Sequence, residues 1–148
     1  MGEVRGVIDV RATPQEAEAL WLDTRRWPSF IDGFGRLTKR SEDWPAVGAR
    51  ASWGTGPAGR GLVLHVVQER EPGRDVVLSE EDERITGRQR ATFDPVQDGC
   101  RMNVALTYEV KPGKGVPKVV DVLFVRRAMR ESLRRTLTRF AAELELDP

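Results

Sequence analysis

Residues 100–110, CRMNVALTYEV, and residues 118–147, KVVDVLFVRRAMRESLRRTLTRFAAELELD, decide the fold; KPGKGVP joins them at 111–117. In the first stretch Cys100, Met102, Val104, Leu106, Tyr108 and Val110 alternate with Arg101, Asn103, Ala105, Thr107 and Glu109. A period of two with one apolar row predicts a strand that buries one face and wets the other. In the second stretch no glycine or proline occurs, and Val119, Val122, Arg126, Met129, Leu133, Leu137, Phe140 and Leu144 recur at helical spacing. That spacing predicts one long amphipathic helix. Its opening turns, Val119 to Val125, are apolar nearly all round, more than a one-sided stripe needs.

Upstream of these stretches, residues 36–110 repeat strand and turn, with turns marked by Trp44-Pro45, by Gly54 to Gly61, by Glu71-Pro72-Gly73 and by Gln97-Asp98-Gly99. Such frequent turn markers leave no room for helices. Ile85, Gly87, Gln89, Ala91 and Phe93 form an inward row opposite Thr86, Arg88, Arg90, Thr92 and Asp94, so Gln89 is a polar side chain among apolar ones. At the start of the chain Val4, Gly6, Ile8 and Val10 alternate with Arg5, Val7, Asp9 and Arg11, an imperfect period of two that suits a strand with one face on a core. Thr13-Pro14-Gln15-Glu16 then spells a capping box with proline at the first helical position. A helix follows with Ala17, Leu20 and Trp21 on its buried side. Asp23-Thr24 is expected to cap a second short turn around Trp27 to Ile31, which Gly33 and Gly35 release.

Composition narrows the function classes. At 148 residues the chain has the size of one domain with one core, and no linker or repeat divides residues 1–148. Lys plus Arg number 24 and Asp plus Glu 23, so the field is nearly neutral and nucleic acid is not an expected partner. One cysteine, Cys100, excludes an internal disulfide and a multi-cysteine metal site and fits a reducing compartment. Charges inside the first apolar stretch read as mature structure rather than a signal peptide. The longest apolar run, Val119 to Val125, is broken by Asp121 and far short of the roughly 20 residues that span a bilayer. The expectation is a cytoplasmic protein without stable membrane insertion.

The motifs Ala12-Thr13-Pro14-Gln15-Glu16, Trp27-Pro28-Ser29-Phe30, Val47-Gly48, Gly87 and Arg126-Arg127-Ala128-Met129-Arg130-Glu131-Ser132-Leu133 stand in order along the whole chain. In that order and spacing the sequence resembles the START/SRPBCC (Bet v 1-like) superfamily, of the polyketide cyclase/dehydrase and lipid-transport type. The resemblance implies an α+β helix-grip fold: a curved antiparallel sheet of about six to seven strands wrapped around a long C-terminal helix, with two short helices between strands one and two. It also implies a cavity between sheet and helix, closed at one end by residues 27–34. The superfamily includes carriers of lipids and aromatic compounds as well as polyketide aromatase/cyclases, and fold alone does not choose between binding and catalysis.

Particular residues can be weighed for that cavity. Trp27, Phe30, Phe34, Trp53, Phe93, Met102 and Met129 would line a pocket for a flat or greasy guest, and Leu123 belongs with them on the all-apolar turns. Gln89, Tyr108 and Arg126 are the polar groups that would orient the guest, although a guanidinium on a buried stripe must find a partner or escape to the rim. His65 is the only histidine; with Tyr108 it is the candidate for proton transfer if the domain is a cyclase or dehydratase. A histidine without a second metal ligand or a nearby nucleophile reads first as a satisfied strand residue. Gly54-Thr55-Gly56-Pro57-Ala58-Gly59 has G-x-G-x-x-G spacing, but a strand-like run follows where nucleotide binding needs a helix. No cofactor or metal is expected. The arginines from Arg126 to Arg139 read as a solvated helix face. The sequence therefore favours binding of a hydrophobic small molecule. Two alternatives stand beside it: a cyclase acting on the held ligand, and a protein-interaction module with an apolar patch around Val120 and Phe124. Oligomeric state stays open.

Overall fold

The computed structural model describes residues 1–56, 61–111 and 118–146, with side chains left out at 118–122. The alternating stretch forms β7 (Gly99–Val110), which pairs antiparallel with β1 (Gly2–Val10) on one side and β6 (Ile85–Val96) on the other. The order continues through β5 (Asp75–Glu81), β4 (Leu62–Glu71), β3 (Arg50–Thr55) and β2 (Phe34–Arg40). This makes one seven-stranded open antiparallel sheet, β1-β7-β6-β5-β4-β3-β2. On β7 the expected inward row is buried from Cys100 to Tyr108, with Val110 half-buried, while Arg101, Asn103 and Glu109 face water. At the far edge β2 carries Arg36, Lys39 and Arg40 exposed, charges that discourage a further strand from adding there.

Three helices share the apolar face. In α1 (Pro14–Leu22) Thr13 Oγ1 accepts the Glu16 N–H at 3.1 Å and the Glu16 carboxylate accepts the Thr13 N–H at 3.0 Å, the reciprocal cap expected from the sequence. The second short helix, α2 (Trp27–Phe30), corrects one expectation. Its N-cap is Arg26, without a side-chain cap, and Asp23 instead ends α1. The chain turns from one helix into the next through the Arg26 N–H, which donates to Asp23 O at 2.9 Å. The turn at Asp82 to Arg84 carries no glycine or proline signal. Asp82 Oδ1 makes it by accepting from the Arg84 and Ile85 N–H groups at 2.7 and 3.0 Å, the Asx geometry that mimics a backbone turn. The expected loops at Pro57–Arg60 and Pro112–Pro117 lie outside the described residues.

The last helix, α3 (Lys118–Leu146), runs across the concave face and packs on the sheet chiefly at β1. Gly6 permits that approach: a Cβ there would lie 2.6 Å from Leu137 Cδ1. At the β6–β7 hairpin Gly99 is equally constrained, because a Cβ would meet Val10 O at 2.0 Å. Phe140 is fully buried and meets Trp21 edge-on at 5.4 Å and Phe30 at 5.3 Å, joining α3 to both short helices. Arg26 and Glu143 add a part-buried ion pair at 2.6 Å between α2 and α3. The Phe140 contact is the heavier one, since an aromatic buried on all sides removes far more apolar surface from water than an ion pair gains. Phe140→Ala is expected to cost about 3–5 kcal/mol, read as a lowered urea midpoint.

Candidate functional site

α3 packs on the sheet chiefly at β1, and between the helix and strands β3 to β7 lies a cavity of about 590 Å³. Its sheet wall consists of Trp53 on β3, Val63 and His65 on β4, Leu78 and Glu80 on β5, Gln89 on β6, and Val104 and Leu106 on β7. Trp21, Trp27, Phe30 and Ile31 close one end, and Val125, Ala128, Met129, Ser132, Leu133 and Thr136 form the helical side. The exposed members of the lining, Gly33, Arg84, Phe124 and Arg135, mark where it opens. Asp32 holds that rim together, accepting a two-toothed contact from Arg135 at 3.0 Å to each oxygen and another from Arg139 at 3.3 Å. The Arg135 guanidinium keeps the Asp32 carboxyl below the usual carboxylate range.

The aromatic end is fixed by hydrogen bonds as well as by packing. Trp27 Nε1 donates to Trp21 O at 2.9 Å, Trp44 Nε1 to Leu22 O at 2.9 Å, and Trp21 Nε1 to Gln89 Oε1 at 3.2 Å. Trp53 Nε1 donates to His65 Nε2 at 3.0 Å. Since an indole N–H can only donate, His65 Nε2 must accept, and the ring proton sits on Nδ1, 3.1 Å from Ser79 O. Both ring nitrogens are therefore occupied, and burial pushes the His65 pKa down to about 4, against a smaller opposing effect of the Ser79 contact. His65 is neutral near neutrality, a structural member of the wall.

Glu80 behaves in the opposite way. Its Oε1 accepts from Gln89 Nε2 at 3.2 Å, so Trp21, Gln89 and Glu80 form one chain of hydrogen bonds along the wall. Across the β5–β6 ladder Glu80 stands opposite Gly87, and Gln89 reaches it diagonally from its place opposite Leu78. Burial, followed by the neighbouring Asp82 charge, raises its pKa to about 7, with the Gln89 bond acting the other way. One carboxyl in this cavity thus changes charge at physiological pH.

With this geometry in view, the family described as polyketide cyclase / dehydrase and lipid transport matches residues 1–145. The chain belongs to this family. Solved structures agree on the fold. One is a START superfamily protein from Mycobacterium smegmatis, at 17% identity and TM-score 0.75, with 97% of each chain covered. A protein from Thermus thermophilus aligns at 19% identity and TM-score 0.78 over 98% of each chain. The di-domain ARO/CYC StfQ from the steffimycin biosynthetic pathway aligns at 20% identity and TM-score 0.78, over 97% of this chain and 50% of StfQ. A search of the curated proteins finds no match. Among the described residues no helix is long and apolar enough to cross a membrane.

In this polyketide cyclase / dehydrase and lipid-transport fold, the residues expected from sequence fall into two groups. Trp27, Phe30, Trp53, Gln89 and Met129 line the cavity, as does His65. The others do not. Phe34 backs the wall, stacked on Trp53 at 5.1 Å. Phe93 and Met102 pair across β6–β7 and are closed into the main core. Tyr108 packs with Val4, Ile85, Leu106 and Val125. Its ring lies over Gly2, where a Cβ would sit 2.5 Å from Cζ, so the side chain leans towards β1 and away from the cavity. Leu123 is 62% exposed, and Arg126 is exposed as well, because Val125 takes the inward position on α3. The helix turns so that a valine rather than a guanidinium loses its water, the cheaper choice by several kcal/mol. The expected apolar patch is half described: Phe124 is 63% exposed, and the Val120 side chain lies outside the described residues.

Glu80 was missed by sequence reasoning. The signal was the period of two in β5, where Val76, Leu78 and Glu80 share parity, but the adjacent Glu81 makes the pair look like an ordinary wet strand end.

Two measurements test these assignments. His65→Leu leaves the Trp53 N–H and the Ser79 carbonyl unpartnered and is expected to cost about 2–4 kcal/mol, seen as a lower denaturation midpoint. For Glu80 the folded pKa lies above the unfolded value of about 4.3. Its favourable contribution is therefore complete below about pH 4 and is lost as pH rises through about 7. Glu80→Gln is expected to be more stable than the parent by about 1–2 kcal/mol at pH 8.5, discounted because the carboxyl borders an open cavity, with the difference closing towards pH 4. Thermal melts of both proteins across that range provide the comparison.

Proposed function

We propose that this chain is a single cytoplasmic domain that binds an apolar or aromatic small molecule inside the cavity between the sheet and α3. The supporting observation is the cavity itself: about 590 Å³, within the roughly 300–1,000 Å³ usual for small-molecule sites. Its walls combine indole, phenyl, valine, leucine and methionine side chains with Gln89, Glu80 and His65 on the sheet side and with the charged residues of the rim. An apolar guest gains by leaving water. At about 25 cal/mol per Å², covering about 300 Å² contributes about 7–8 kcal/mol before ordering costs. Membership of a family described by polyketide cyclisation and lipid transport fits such a guest.

The two proton-transfer candidates read from the sequence lend turnover no support. His65 has both nitrogens engaged, and Tyr108 stands outside the cavity lining. A catalytic reading built on either residue loses its base.

A naphthalene-based fluorescent probe tests the proposal. It is expected to bind with one-to-one saturation, and Met129→Trp, which puts bulk into the cavity, is expected to weaken it at least tenfold. Arg126→Ala serves as the control, changing affinity less than twofold. Equal binding by Met129→Trp and the parent protein would place the guest elsewhere and sink the cavity reading.

A further inference from the structure

The charges lining the cavity are not evenly matched. Asp32 is committed to Arg135 and Arg139, Glu131 meets Arg127 at 3.4 Å, and Asp82 accepts the backbone N–H groups of its own turn. Glu80 has only the Gln89 amide: among the described residues no cation pairs with it. That amide cannot swing away, because its oxygen is held by the Trp21 N–H. The polar groups that line the cavity with Glu80 come from several elements. The turn after β5 offers Asp82, β4 offers the neutral His65, β6 offers Gln89, and α3 offers Glu131 together with the already paired Arg135; Arg84 is exposed on the rim. An anionic guest would meet Glu80 and Asp82 together. A neutral guest would offer the Glu80 carboxylate no counter-charge.

We propose that the cavity recognises an apolar molecule carrying a protonated amine, with Glu80 as the counter-ion of that amine. This rests on the cavity-binding reading above and specifies its ligand class. A cation supplies the charge-assisted partner that Glu80 lacks and relieves its repulsion with Asp82. The indoles of Trp21, Trp27 and Trp53 and the ring of Phe30 line the same cavity, and aromatic faces attract cations as carboxylates do. Glu80 is then a specificity-determining residue.

Three probes that share one naphthyl body separate the contributions: 2-naphthylmethylamine, 2-naphthylmethanol and 2-naphthoate, each titrated calorimetrically at pH 8 and pH 5.5. At pH 8 the amine is expected to bind at least tenfold tighter than the alcohol, and the carboxylate more weakly than either. Lowering the pH to 5.5 protonates Glu80 while His65 stays neutral and the amine stays charged, so the amine advantage is expected to fall about tenfold or more. Glu80→Gln is expected to abolish that advantage at pH 8, so that the variant binds amine and alcohol about equally. If amine and alcohol bind the parent equally at pH 8, or if the amine preference survives in Glu80→Gln, the counter-ion role is wrong although the cavity reading stands. The pH series on the parent protein decides the matter even if the variant folds poorly. If none of the three probes binds, both readings fall.

Discussion

A seven-stranded antiparallel sheet with one apolar face must cover that face, and the described residues supply one long helix and two short ones with which to do it. A helix with its side chains is about 10–12 Å wide, whereas seven strands at about 4.8 Å spacing spread over roughly 30 Å. Full coverage is impossible. The helix α3 settles on β1, where Gly6 lets Leu137 and Leu133 come close, and Phe140 locks its C-terminal half to Trp21 and Phe30. The uncovered remainder, over β3 to β7, is the cavity. Core and cavity are thus two outcomes of one packing problem, with Phe93 and Met102 at the filled end and Leu78, Val104 and Leu106 at the open one.

An apolar cavity risks collapse, and the hydrogen-bonded tryptophans oppose it. Each of the four indole N–H groups has a partner: Gln89, Trp21 O, Leu22 O or His65. A ring tethered by its nitrogen cannot swing into empty space without leaving a buried donor unsatisfied, a loss of about 1–3 kcal/mol. His65 is part of this device. Accepting from Trp53 and donating to Ser79 O, it fixes the aromatic wall and has no free lone pair for chemistry.

The same low-polarity surroundings move two ionisable groups in opposite directions. Both shifts favour the neutral form: His65 is held deprotonated and Glu80 holds its proton up to about pH 7. The difference lies in their partners. His65 is saturated by neutral groups and gains nothing from a ligand, whereas Glu80 has one neutral donor and the repulsion of Asp82. The polar position of the cavity that titrates near neutrality is therefore on β5, at a residue whose neighbours, rather than its own type, give it that character.

The sequence by itself determined most of the elements and the parity of the strands, though not the turn at Asp82. The Thr13–Glu16 capping box, the inward row from Cys100 to Val110 and the glycine-free and proline-free span of α3 rest on local rules of period, capping and turn chemistry, which act between residues a few positions apart. Even the Gln89 oddity was legible, because parity along a strand is local. Tertiary structure decided what each inward residue faces. Helical spacing tolerates Arg126 or Val125 as the buried position, and only the contact with the sheet turns Val125 inward. Strand parity puts Tyr108 and Gln89 on the same face, yet one leans over Gly2 into the β1 side and the other lines the cavity. Glu80 became visible only when β4, β6 and the Asp82 turn surrounded it. Desolvation and charge coupling depend on distances between residues far apart in the chain, and those distances exist only once the chain is folded.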